Sequence, residues 1–196
     1  MYHYHTTITT NSLPMSDFIR KYQDQEKFMA YCRECPNYNT LWSCPPLSFD
    51  ANELLKGFNY IQLVAVKVIY DEKTIRSADT PEKVKEITTN SLREVRTRLA
   101  ESMLSLEQEF PGSISLSSGG CQLCEHCKRL DNLPCCLPEK MRHSLDSFGF
   151  DLTAITAELL QIELKWPKNG LPEYYTLIHA LLTKEPIGNR LTKFAL

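Results

Sequence analysis

The sequence predicts an α/β (or α+β) protein: a small mixed sheet, helices packed on it, and two cysteine-rich loops. Three observations predict that class. The run "YIQLVAVKVIY" is rich in Val, Ile and Tyr, the composition of a strand. From Thr80 to Phe110 apolar residues recur at spacings of three and four, which makes one apolar helical stripe. Further strand-prone runs follow, "SISLSS" and then two near the C-terminus about a Pro/Gly/Asn loop. The expected sheet therefore holds a βαβ crossover, with strands at about 58–70 and about 113–118, and a C-terminal hairpin at about 162–183.

The elements follow in order. "HTTITTNS" is polar and β-branched, a short edge strand or an unstructured start. "SDFIRKYQ" reads as a short helix with Ser16 as N-cap and Phe18, Ile19 and Tyr22 apolar. A further helical turn or two runs through Phe28 and Met29. In "DANELL", Asp50 and Glu53 form a capping box, and Gly57 closes that helix. The near-continuous apolar character of the next strand predicts burial on both faces. Thr80 and Pro81 open the longest helix, whose stripe is Leu92, Val95, Leu99, Met103, Leu106 and Phe110. Pro111-Gly112 stops it. "SISLSS" then runs straight into Gly119-Gly120, and loops beyond the C-terminal ends of parallel strands commonly carry sites. Pro138 opens another helix, with Met141, Leu145 and Phe148 on one face and Gly149 at its end. Asp151 caps one more, to about Leu160. "IELKW" and "YYTLIHALL" form the hairpin, although Leu177, Ile178 and Leu181 in the second run also fit a helical period. No linker interrupts the chain, so residues 1–196 read as a single metal-binding domain.

Composition narrows the function classes. The chain has 196 residues, 42% hydrophobic and 23% charged, and can bury a core without disulfides. Its 22 basic and 24 acidic residues give a net charge of −2, with no bias toward nucleic acid or an anionic membrane. The N-terminus lacks a basic region followed by an apolar one. The longest apolar run is interrupted by Gln62 and Lys67 and falls short of the ~20 residues that span a bilayer. The expected location is cytoplasmic. Thiols stay reduced there, so clustered cysteines point to metal binding or redox chemistry.

All eight cysteines fall into two groups. The first, "YCRECPNYNTLWSCPP", holds Cys32, Cys35 and Cys44. The second, "GGCQLCEHCKRLDNLPCCLP", holds Cys121, Cys124, Cys127, Cys135 and Cys136. Two intervening residues let a pair of sulfurs turn onto one metal. Three such cysteines in series with a distal fourth echo the ferredoxin run C-x2-C-x2-C-x3-C-P, with a longer last gap and Leu137 before the proline. Zinc normally takes two separate C-x2-C knuckles, whereas a cubane spreads three close sulfurs over three irons. Spacing therefore favours [4Fe–4S], one cluster or two, with zinc as the alternative. Cys121, Cys124, Cys127 and Cys135 form the principal site. The triad Cys32, Cys35 and Cys44 has three uses open to it: a second cluster with Cys136 as fourth ligand, a cluster with an open iron, or a different metal. A thioredoxin-type pair at Cys32 and Cys35 lacks the preceding strand it needs. Cys136 also reads as a small buried hydrophobe.

Around the cysteines, the helix at Pro138 would aim its positive end at Cys135 and Cys136. Lys128, Arg129 and Arg142 are available to balance charge, or are ordinary surface cations. Tyr31, Tyr38 and Trp42 either shield a cluster or pack a short loop. His126 lies between two ligands and reads as solvated. His3 and His5 could bind metal adventitiously, though terminal histidines usually do nothing, and His143 and His179 have no evident partner. P-loop, GxGxxG, GxSxG and HExxH motifs are absent, and no catalytic acid or base can be named.

The segments "CRECPNYNTLWSCPP" and "GGCQLCEHCKRLDNLPCCLPEKMRHSLDSFGFDL" together resemble an uncharacterised prokaryotic family described as predicted metal-binding proteins. The resemblance covers most of the chain. It implies metal binding through Cys32, Cys35, Cys44, Cys121, Cys124, Cys127 and Cys135. A basic residue is usual in that family where Cys136 stands, which leaves Cys136 outside the shared pattern. The resemblance carries no reaction. Three functions follow: an electron-transfer or redox accessory protein that meets a redox partner protein, a zinc-stabilised structural or interaction module, and an enzyme using an open iron at the triad as Lewis acid.

Overall fold

The computed structural model describes residues 2–167 and 170–193. The elements run β1 (Tyr4–Pro14), α1 (Met15–Tyr22), α2 (Gln25–Glu34), α3 (Ala51–Leu55), β2 (Tyr60–Tyr70), α4 (Glu72–Ser77), α5 (Pro81–Glu109), β3 (Ile114–Leu116), α6 (Leu152–Leu159) and β4 (Tyr174–Thr183). Short 3-10 turns lie at Lys128–Asp131, Leu145–Phe148 and Gly188–Lys193.

Four strands form one sheet in the order β1-β2-β4-β3, and helices cover both faces, which makes the α/β class. The polar, β-branched start is a full edge strand, paired with β2 from Tyr4↔Tyr70 to Pro14↔Tyr60. Odd-numbered residues of β2 (Ile61, Leu63, Ala65) pack with Phe18 and Tyr22 of α1, Ile155 of α6, and Phe148 and Phe150. Even-numbered ones (Val64, Val66, Val68, Tyr70) pack with Val95, Leu99 and Met103 of α5. The apolar run is thus buried on both faces, as its composition predicts. Each fully buried Leu, Val or Phe contributes roughly 1.5–3 kcal/mol over exposure. Caps fall at the expected residues: Thr80 accepts from the Lys83 N–H, Asp50 from those of Asn52 and Glu53, and Asp151 from that of Ala154.

The expected connections differ in four places. First, β2 and β3 are not neighbours, and the sheet is antiparallel throughout rather than mixed. β4 lies between them, pairing with β2 from Tyr60↔Thr183 to Ile69↔Tyr174 and with β3 from Ile114↔Leu182 to Leu116↔Ala180. A strand as apolar as "TLIHALL" gains most in a central slot, where both edges are hydrogen-bonded. Second, the C-terminal hairpin does not form. With β2 and β3 on its two edges, β4 leaves "IELKW" irregular, held by Ile162 and Leu164 in the core and by the Tyr174 hydroxyl donating to the Glu163 carbonyl. Lys168 and Asn169 of the expected hairpin loop lie outside the described residues. Third, Ser16 is not an N-cap. Pro14 occupies that position, and the Met15 N–H is taken by the Asn59 carbonyl.

Fourth, no helix starts at Pro138. One turn closes, with Lys140 and Met141 donating to Leu137, and the chain then extends. Ser117 N–H donates to His143 and Leu145 N–H donates to Ser117, so the backbone groups a helix needs are used in a parallel bridge at the end of β3. The 3-10 turn that follows ends at Gly149 (φ +78°), where a Cβ would lie 2.7 Å from the Gln25 Cα. The positive helix end expected to face Cys135 and Cys136 is therefore missing. Among the described residues no helix is long and apolar enough to cross a membrane.

Candidate metal centre

The two cysteine segments meet. Cys32 sits in the last turn of α2, Cys35 follows as its C-cap, and a string of turns returns the chain to Cys44, which is buried. The second segment leaves β3 through Gly119 and Gly120. A Cβ on Gly120 would lie 2.7 Å from Leu41 Cδ1 and 3.0 Å from Asn37 Nδ2, so the segments approach closely there and any side chain would have to push the ends of Leu41 and Asn37 aside. The Cys121 N–H donates to Ser43 Oγ (2.9 Å), and the Trp42 indole N–H donates to the Leu133 carbonyl (3.0 Å).

Arg129 makes the strongest link. Its Nη1 donates to the carbonyls of Leu41 (2.9 Å) and Cys44 (2.7 Å), and its Nη2 to the Pro46 carbonyl (2.7 Å) and Asn39 Oδ1 (3.1 Å). The guanidinium also lies 5.0 Å from the Trp42 ring centroid. A planar fork with five donors suits such a set of acceptors. Lys128 and His126 turn instead to Asp131, and Arg142 pairs with Glu107 of α5.

The sulfurs divide between two cavities, joined along the chain at Gly120-Cys121. Cys32, Cys35 and Cys44 line one of about 340 Å³, with Tyr31 and Tyr38 at its side. Cys121, Cys124, Cys127, Cys135 and Cys136 line a tighter one of about 30 Å³, covered by Trp42 and Leu123. Gly119 and Gly120 line the first cavity and lead into Cys121 of the second. Cys136 thus stands with the second group, away from the triad, for which a cluster completed by Cys136 was one of three uses left open. Its Sγ is 2.9 Å from that of Cys124. That is closer than the ~3.8 Å between two sulfurs on one tetrahedral zinc with 2.3 Å bonds.

The structure adds one residue that the sequence reading missed. Asp146, in the 3-10 turn packed against α2, lines the triad's cavity, and its Oδ1 is buried without a hydrogen-bond partner. An orphaned carboxylate oxygen beside three thiols is what a cation would satisfy. Burial pushes the Cys32 thiol up to about 11, and the Asp146 carboxylate adds to that shift. Burial likewise raises Cys44 and Cys121, and its hydrogen bond with Cys136 pushes Cys124 up to about 11. A metal must therefore displace protons from these thiols. Among the described residues no three His, Cys, Asp or Glu side chains already form a metal cage, so binding also requires the sulfurs to change rotamer.

A family model described as predicted metal-binding protein (DUF2284) matches residues 19–182, a span that holds every cysteine and Asp146. The chain belongs to the DUF2284 family. DUF2284 is a predicted metal-binding family, which agrees with the two clustered sets of thiols. No curated protein and no solved structure matches the chain.

The Cys124–Cys136 contact has a measurable consequence. In metal-free protein, one equivalent of diamide, a two-electron thiol oxidant, is expected to join Cys124 to Cys136 before any other pair. Peptide mapping that finds a different first disulfide would refute the contact.

Proposed function

We propose that the chain is a cytoplasmic iron–sulfur protein with an electron-transfer or redox accessory role. In this reading Cys121, Cys124, Cys127 and Cys135 hold a [4Fe–4S] cluster, and Cys32, Cys35 and Cys44 hold a second centre whose fourth ligand is Asp146. The observation that carries it is the segregation of all eight cysteines into two adjoining cavities clamped together by Arg129. Two centres on segments held together by Arg129, with Gly120 lining one and Cys121 the other, suit the passage of electrons from one to the other. The donor set fits: thiolates are the usual ligands of such clusters, and an oxygen ligand marks one iron as exchangeable. Leu123, at the five-cysteine cavity, and Leu130 and Leu133, further along the same segment, are exposed and offer apolar surface on which a redox partner protein can dock.

Zinc is the second reading, favoured by the small volume of the five-cysteine cavity. Anaerobic purification followed by iron, sulfide and zinc analysis, with an absorption spectrum, separates the two. Iron and sulfide in equal amounts with reversible bleaching are expected. Stoichiometric zinc without either would reject the cluster. Cys44→Ser is expected to remove one centre's metal and leave the other's. Asp146→Asn is expected to weaken metal retention at the triad at least 10-fold with Cys121's centre unchanged. Equal loss from both centres would count against Asp146 as a ligand.

A further inference from the structure

A third cavity, also bordered by Cys121, lies between α5 and the sheet, with a volume of about 200 Å³. Its floor carries two polar side chains that nothing in the fold satisfies. Arg96 projects from α5. Its Nε is buried without a partner, and it makes no hydrogen bond or ion pair with any described residue. Its Nη2 lies 4.0 Å from where a Cβ on Gly119 would stand, which puts the end of the guanidinium under the turn that leads to Cys121. His179 projects from β4 into the same cavity. It is 1% exposed, and neither ring nitrogen has a partner. Burial, with Arg96 beside it, pushes the imidazole down to about 3, so it stands neutral, with one donor and one acceptor idle.

An arginine does not escape burial by losing its proton. The floor therefore carries one uncompensated positive charge. The neighbouring charges do not cancel it: Arg142 is already neutralised by Glu107, and Glu101 and Lys140 are exposed at the rim. Ser117 Oγ is bonded to Gly119 and Arg142 carbonyls, and Ser115 Oγ to Glu107, so neither hydroxyl serves Arg96. Charges taken out of bulk water are normally paired in folded proteins, and Arg96, half-buried with its Nε fully enclosed, turns an unpaired guanidinium toward the cavity, where an anion would pair it. A single charge calls for a monoanion; a phosphate dianion would leave excess negative charge in a buried space. The planar fork of a guanidinium matches the two oxygens of a carboxylate. Ala100, Met103, Leu104 and Leu123 give the wall an apolar part, beside the polar Thr97 and Gln122, and that part suits an organic body.

We propose that this cavity binds a small organic monocarboxylate, gripped by Arg96 and His179 with its apolar end against α5, next to Cys121. The inference rests on these side chains and stands whichever metal the cysteines hold. It makes the five-cysteine centre one with a ligand pocket at its edge.

Calorimetric titration of the purified full-length protein, with its native metal content, tests it. Butyrate and benzoate are the probes; butyramide and inorganic phosphate are the controls. Saturable binding is expected for at least one carboxylate, at least 10-fold tighter than for butyramide or phosphate, with His179 ring resonances shifting in parallel. Arg96→Gln should weaken carboxylate binding at least 10-fold. The comparison of acid with amide uses the unaltered protein, so the test survives a variant that fails to fold. No saturable carboxylate binding, equal binding of butyramide, preference for phosphate, or unchanged affinity in a folded Arg96→Gln protein would each overturn the proposal. Metal content measured on the same samples tests the metal reading separately.

Discussion

Replacing Arg129 by alanine is expected to lower stability by about 3 kcal/mol and to loosen metal at both cysteine groups together. The side chain donates four hydrogen bonds to the first cysteine segment from the second, three of them to backbone carbonyls. Hydrogen bonds to a charged group contribute about 1.5–3 kcal/mol each, but water can replace those at the exposed end, so the sum is far below additive. The carbonyls of Leu41 and Cys44 lie on the half-buried side, and they lose their partner outright. Arg129→Lys should recover little, because one ammonium cannot reach acceptors spread over four residues. Urea unfolding measures the first effect, and metal analysis of the same samples measures the second. An Arg129→Ala protein with an unchanged urea midpoint and full metal at both groups would show that the clamp holds nothing.

Glu107→Gln is expected to cost about 2–3 kcal/mol at pH 7 and to remove an acid transition. Glu107 Oε1 accepts from the Ser115 N–H (2.6 Å), the Ser115 hydroxyl and Arg142 Nε (2.7 Å), and Oε2 accepts from Arg142 Nη2. One carboxylate thus ties α5, β3 and the strand-like segment after the second cysteine group. Burial works against its ionised form, but the Arg142 and Ser115 hydrogen bonds outweigh burial and hold its pKa below the ordinary glutamate value. The folded-state value is the lower one. The stabilisation is therefore fully present above the unfolded value of about 4.3 and is lost as pH falls through the folded value. Unfolding free energy measured from pH 7 downward should drop below about pH 4.3 in the wild type and drop less in Glu107→Gln. Parallel curves for the two proteins would exclude Glu107 as the group responsible.

The strong elements were readable because their signals are local. Thr80-Pro81 and the stripe from Leu92 to Leu106 needed no tertiary information, nor did the β-branched density of Tyr60–Tyr70. The expected Pro138 helix had equally good local credentials, a proline at its start and Met141, Leu145 and Phe148 in period. It failed because Ser117, more than twenty residues earlier, competes for the same backbone groups. The βαβ crossover failed for a related reason: β4, still some sixty residues downstream, takes the place beside β2. The cysteine spacing divided the eight sulfurs into two groups, and the fold keeps that division in its two cysteine-lined cavities. It was silent on Asp146, which no ligand motif connects to Cys32, and on Arg129, which in sequence is one more cation beside Lys128. His179 had left a mark, a polar residue inside "TLIHALL", but the mark acquires meaning only with Arg96 opposite it.

The central position of β4 also sets an order of events during synthesis. Among the described residues β3 pairs in the sheet with β4 alone, and β4 is the last strand to emerge. Until residues 174–183 have left the ribosome, the segment carrying Cys121 to Cys136 has no sheet to hang from. The cysteine groups can find one another only across the tether of α5. The long-range pairing that closes the fold therefore comes late, as contacts of large sequence separation do. Metal offered to a nascent chain meets loose thiols, and metal offered after release meets a framework that already holds the two groups together.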